Sequence, residues 1–243
     1  MPVEPDKRIK FFVFVIESPS PVDLYHRRSE GEIIRQAVNL NQIPCIVRTA
    51  VNLEAFEASL KIGLTEEMKL YEGMIPILHI SAHGFSEGIQ LSDSTVIPWV
   101  NLRQFLAPIN TALNNGLLVC LSCCEGYAGI RMAMFIEDES YPFYAIVANS
   151  EKPLWSDTAV AYSTFYHLLS KGEFITDAVD AMRIASGNKT FWVETAEQSR
   201  QGYLKYIEKV NVPSAQLELE GNMSQEEPNH LALLRKVGKE IKP

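Results

Sequence analysis

The stretch Met74-Ile-Pro-Ile-Leu-His-Ile-Ser-Ala-His83-Gly84 decides the fold. Ile75, Ile77, Leu78 and Ile80 are too dense for a strand with one wet face, and Gly73 and Gly84 bound the run. It reads as a strand over Met74–Ser81 buried on both sides, the habit of a parallel sheet covered by helices. Such a strand aims its carboxyl end at His83. The run Leu117–Ser122 has the same character and ends on Cys123 and Cys124. In open α/β sheets the reactive crevice lies outside the carboxyl ends of the strands, so His83 and Cys124 are the first residues to consider for chemistry.

Outward from these two runs, apolar segments alternate with helical patterns. Ile9–Glu17 reads as the first strand, Pro44–Ala50 as the second, Tyr144–Ala148 as the fifth and Phe191–Glu194 as a sixth, at an edge. Ser29 with Glu32 forms a capping box for a helix to Asn41, Asn52 caps a helix to Ile62, and another runs from Asn101 to Asn114 before Gly116. Ser156 is expected to cap a helix that reaches Ser170 and stops at Gly172. Thr176–Ser186 forms the next, ended by Gly187, and Thr195 with Gln198 makes a second capping box for a helix to Lys209. Gly88–Trp99 reads as a small hairpin laid over the crevice. The alternation predicts an α/β fold with a mostly parallel sheet of about six strands and helices on both faces.

One domain is expected over residues 1–210. Residues 211–229 are polar and acidic, with Pro213, Gly221 and Pro228, and read as a linker. Residues 230–243 read as a helical tail, with Leu231, Leu234 and Val237 on one face and Arg235, Lys236 and Lys239 opposite. No internal repeat is visible.

A hydrophobic content of 47% with 21% charged residues puts this 243-residue chain among globular proteins that bury a real core. The net charge is −8 and the Lys and Arg residues are scattered, which argues against a nucleic-acid partner. The apolar run Phe11–Ile16 is too short for a signal-peptide core or a membrane span. Three of the four cysteines, Cys120, Cys123 and Cys124, lie within five residues of one another, a poor geometry for mutual disulfides. This grouping suits a reducing compartment, and a cytoplasmic protein with no membrane partner is expected.

The chemistry that these residue types serve is thiol catalysis. A thiolate is needed near neutral pH, and an imidazole either takes the thiol proton or stabilises the anion. His83 and a cysteine at the end of the next strand meet that demand. An oxyanion then needs two backbone donors; Gly84, whose missing Cβ allows close approach, supplies one and the cysteine N–H the other. Cys120 and Cys123 read as core thiols, and His79, on the face of His83 but roughly 13 Å back along the strand, as a core histidine. Strand-borne ligands four residues apart are too distant to share a metal ion, so no metal and no cofactor is expected.

The segments His79–Phe85, Leu117–Gly126 and Leu154–Tyr166 resemble the CHAT family of caspase-like cysteine proteases. Members carry a His-Gly after one strand and Leu-Ser-Ala-Cys-Glu-Thr-Gly after the next. In order and spacing the resemblance spans Ile9 to Phe191. Aligned on it, Cys124 takes the nucleophile's place, Cys123 replaces an alanine and Gly126 a threonine. His83 lies 41 residues before Cys124, against about 50 in caspases, and the caspase signature Gln-Ala-Cys-x-Gly is absent, so a strict aspartate preference does not carry over.

The resemblance implies a caspase-like three-layer sandwich and an endopeptidase with His83 as base, Cys124 as nucleophile and Gly84 beside them. It also implies a protein substrate, a separate activator or regulatory protein, and regulated proteolysis in a prokaryotic defence or signalling system. A catalytically inactive scaffold and a Cys-dependent acyltransferase or amidase are the alternatives. Substrate selectivity is expected from the loop after the first strand, with Asp23, Arg27 and Arg28, and from Asp157 beyond the fifth. The arginines would favour an acidic residue before the cleaved bond, and the aspartates a basic one.

Overall fold

The protein is described by a computed structural model that covers residues 10–136 and 139–211. A six-strand path carries the architecture: β1 (Phe11–Ser18), β2 (Cys45–Thr49), β3 (Ile75–Phe85), β6 (Leu118–Ser122), β7 (Ala145–Asn149) and β8 (Phe191–Thr195), in the order β2-β1-β3-β6-β7-β8. Every pairing on this path is parallel except the last, where the edge strand β8 runs antiparallel to β7. A hairpin of β4 (Gly88–Gln90) and β5 (Val96–Pro98) hangs from the end of β3.

Period-two alternation sorts the side chains onto two cores. Phe12, Phe14, Leu78, Ile80, Val119 and Leu121 face α3 (Leu53–Ala58), α4 (Leu64–Leu70), α5 (Trp99–Ala112) and α8 (Ala196–Asn211). Val13, Val15, Ile77, Leu118 and Cys120 face α2 (Glu30–Asn39), α6 (Trp155–Lys171) and α7 (Ile175–Ser186). Both sides of the sheet are covered, which makes the three-layer α/β sandwich read from the alternating runs. Among the described residues, no helix is long and apolar enough to cross a membrane.

Several local expectations change in tertiary context. The strand expected to stop at Ser81 continues through His83 and Gly84 to Phe85, because β4 gives its last residues an antiparallel partner. The hairpin is not a cover for the crevice: Ile89, Ile97 and Trp99 pack into the core beside α5, and Ser92 reaches only its edge, bracing the end of β1 through Ser18 and Pro19. Ser156 does not cap α6, which starts one residue earlier with Leu154 at its cap position, and the Ser156 hydroxyl turns to Asp157 instead. The helix from Asn52 runs on past Ile62, through a π-helical turn at Ser59–Gly63, to Leu70.

Two elements had no expectation. A short helix α1 (Pro21–Tyr25), capped by Ser20, follows β1, and a 3-10 helix, Gly126–Met134, follows the cysteine turn. Thr195 and Gln198 do form a reciprocal box, each side chain accepting the other's backbone N–H. Ile9, the linker beyond residue 211 and the tail 230–243 lie outside the described residues.

Candidate active site

β3 and β6 are neighbours, and their register makes a ladder of rungs on the α2/α6 side of the sheet. Ile77 pairs with Leu118, His79 with Cys120 and Ser81 with Ser122. Two residues further along each chain stand His83 and Cys124, where β3 turns to its hairpin and β6 ends. The 41-residue offset between them is thus the register of the two strands.

His83 is exposed and Cys124 half-buried, and both line a cleft of about 370 Å³. Ser81, Ser122 and Glu30 line its inner end; Asp23, Arg28 and Trp155 also border it. A larger groove, about 710 Å³, lies elsewhere between α4 and α5, lined by Leu60, Leu64, Met68, Phe105 and Ile109. It contains neither thiol nor imidazole, so the smaller cleft is the chemical candidate.

The cysteine turn is held in an unusual conformation. Glu125 sits in the left-handed region at φ 53°, and its N–H donates to the Glu151 carbonyl at 2.7 Å. No backbone carbonyl among the described residues accepts the Cys124 N–H, which lies against its own thiol and favours the thiolate. Gly84 abuts this turn: a Cβ there would stand 2.3 Å from the Cys124 carbonyl oxygen and 2.7 Å from Cys123 Cβ. Its missing side chain therefore makes room for the cysteine turn of the same chain, where the sequence had pointed to room for substrate.

Electrostatics separate the three neighbouring thiols. Burial pushes Cys120 up to about 12 and Cys123 higher still. Cys124 is also raised by desolvation, and the nearby Glu125 carboxylate adds to this, but Lys152 opposes it. No hydrogen bond joins His83 to Cys124 among the described residues. The two residues line one cleft without a direct bond between them.

Of the four residues expected to set selectivity, Asp23 and Arg28 reach the cleft, and they face each other at 3.5 Å. Arg27 and Asp157 do not. Arg27 is exposed at the end of α1 with φ 52°, and Asp157 accepts from Asn188 at 3.5 Å, in the network that also holds Asn149 and Thr190. Glu30 was missed: it looks like a solvent-facing residue of a helix first turn, yet it is 2% exposed. Glu17 was missed as well; it accepts from Ser29 Oγ at 2.5 Å and from the Glu30 N–H at 2.6 Å, anchoring the start of α2 to the end of β1. The capping box at Ser29 is consequently half made: Ser29 accepts the Glu32 N–H, while the Glu32 carboxylate pairs with Arg35. The one signal in the sequence was the Ser two residues before each candidate, in Ser81-Ala-His83 and Ser122-Cys-Cys124.

No family model matches the chain, and no curated protein matches it significantly. Many solved structures are similar to it, gingipain R and drICE among them. Gingipain R, an Arg-specific cysteine proteinase, has 10% sequence identity and a TM-score of 0.45, with 75% of this chain and 45% of that chain covered. The structure of drICE has 12% identity and a TM-score of 0.48, with 77% and 88% covered. The chain thus spans less than half the length of the gingipain structure. Likenesses at this level concern shape and carry nothing about activity.

Proposed function

We propose that this chain is a cysteine endopeptidase in which His83 takes the proton of the Cys124 thiol. The observation that carries the reading is the shared cleft at the ends of two register-matched neighbouring strands. The thiolate attacks the peptide carbonyl and the amine leaves with the proton held by His83. Water, deprotonated by the same imidazole, then hydrolyses the acyl-enzyme and frees the thiol. The Cys124 N–H, which no other described backbone group accepts, supports the reading as a donor to the developing oxyanion.

The lining favours a basic side chain before the cleaved bond. Asp23 at the rim, with Glu17 and Glu30 at the buried inner end, gives the lining more carboxyl groups than Arg28 offsets, and the half-exposed Trp155 borders the same cleft. Fluorogenic peptides ending in Arg or in Asp test both halves on the full chain. Hydrolysis of the Arg peptide that disappears in Cys124→Ala is expected. Hydrolysis surviving in that variant would sink the enzyme reading, and preference for the Asp peptide would reverse the substrate class.

A second reading, a non-catalytic scaffold, is favoured by the raised Cys124 thiol and the missing His83 contact. A scaffold shows no hydrolysis and no selective labelling of Cys124 by a thiol-reactive probe.

A further inference from the structure

Beneath the proposed dyad lies a group that neither strand supplies. Glu30, the first residue of α2, accepts from Ser81 Oγ at 2.6 Å and from Ser122 Oγ at 2.7 and 2.8 Å. The two serines are register partners, and each stands two residues before His83 or Cys124. One carboxylate therefore ties together the last rung of the ladder before the site. We infer that Glu30 is a positioning residue: it fixes the separation of the ends of β3 and β6 and so sets how His83 meets Cys124. The inference rests on the dyad reading above.

Structural need alone does not explain an acid at this place. Burial raises the Glu30 carboxyl to about 7, against the hydrogen bonds of Ser81, Ser122 and Thr158, and Glu17 adds repulsion. Glu17 of β1, Ser81 of β3, Ser122 of β6 with Cys123 just beyond it, and Thr158 and Tyr162 of α6 face the group. Asp23, Arg28, His83 and Cys124 border the same cleft. No cation is paired with Glu30 among the described residues. A glutamine would fill the same volume without ionising. A carboxylate placed where its anion is disfavoured, tied to the strand that ends at the candidate nucleophile, points to a role beyond structure.

Because the folded acid binds its proton more tightly than the unfolded one, the stability it contributes is full below pH 4.5 and is lost as pH rises to about 7. Above that, a merely structural tie and a costly positioning group predict opposite results for Glu30→Gln.

The test uses the full chain, with iodoacetamide alkylation of Cys124 followed by peptide mapping between pH 6 and 8.5, together with melting temperatures. At pH 8 Glu30→Gln is expected to melt about 5 °C higher than the parent while Cys124 reacts about tenfold more slowly. The parent's alkylation profile is expected to carry a step near pH 7 from Glu30; Glu30→Gln loses it and Glu30→Asp restores it in part. Unchanged alkylation, or a lower melting temperature at pH 8, overturns the inference. Failure of the dyad itself reads differently: parent Cys124 then reacts no faster than free cysteine, and His83→Ala changes nothing. Should Glu30→Gln not fold, Ser122→Ala keeps the carboxylate and cuts one tie. It must slow Cys124, and an unchanged rate is equally fatal.

Discussion

Two His–Cys pairs share one 41-residue separation: His79 with Cys120, a rung of the β3/β6 ladder, and His83 with Cys124, an outer pair beyond its last rung, Ser81 with Ser122. Their surroundings differ completely. His79 is fully buried, its Nδ1 bonded to the Tyr166 hydroxyl at 2.9 Å and its ring edge-on to Tyr162 at 4.6 Å between centroids. Its Nε2 has no partner among the described residues, and burial lowers the imidazole to about 3. Cys120, within reach of the same Tyr166, is raised to about 12. At neutral pH neither member of the inner rung takes a charge, so neither makes a thiolate nor moves a proton. Four residues further along each chain, the outer pair opens to water. The same spacing sets a histidine and a cysteine in both pairs; only the outer one has the solvent that ionisation requires.

The largest expected contrast is in labelling. Native protein treated with iodoacetamide should be modified at Cys124 at least about 10³-fold faster than at Cys120, and after denaturation the two should react alike. Comparable native rates would collapse the distinction between the two pairs. The next concerns acid. The unfolded His79 protonates near its ordinary 6.5 while the folded ring stays neutral to about 3, so stability falls as pH drops below 6.5. By pH 4 the loss is on the order of 3 kcal/mol. His79→Phe should flatten that limb in urea titrations at pH 7 and pH 4; an unchanged slope would mean that the inner imidazole is not held neutral.

The smallest effect sharpens the outer pair. Gly84→Ala places a Cβ against the Cys124 carbonyl and should destabilise by about 2 kcal/mol. Displacement of the cysteine turn should also change Cys124 alkylation and leave Cys120 untouched. A variant of full stability with normal Cys124 reactivity would show that the turn is not seated on Gly84.

Much of this was legible along the chain. Dense apolar runs marked the strands, and Thr195 with Gln198 announced a capping box that forms as written. His83 and Cys124 stood out because they followed two such runs, and the sheet order does place those runs side by side. What was missed lies in contacts between distant segments. β3 extends past Ser81 only because β4 pairs with it, and Ser156 yields the start of α6 to Trp155. Asp157 turns toward a turn 31 residues away, so its place in the sequence said nothing of its direction.

Periodicity and turn chemistry are local, and they sufficed for the α/β alternation and for the two residue types most suited to thiol chemistry. Burial and register are not local. That His79 and Cys120 are inert, that Gly84 makes room for a neighbouring turn, and that Glu30 reaches Ser122 across 92 residues of chain all depend on which surfaces the folded sheet and helices exclude from water. Reactivity follows the free energy of ionising a group where it lies, and that is settled by the three-dimensional packing around it.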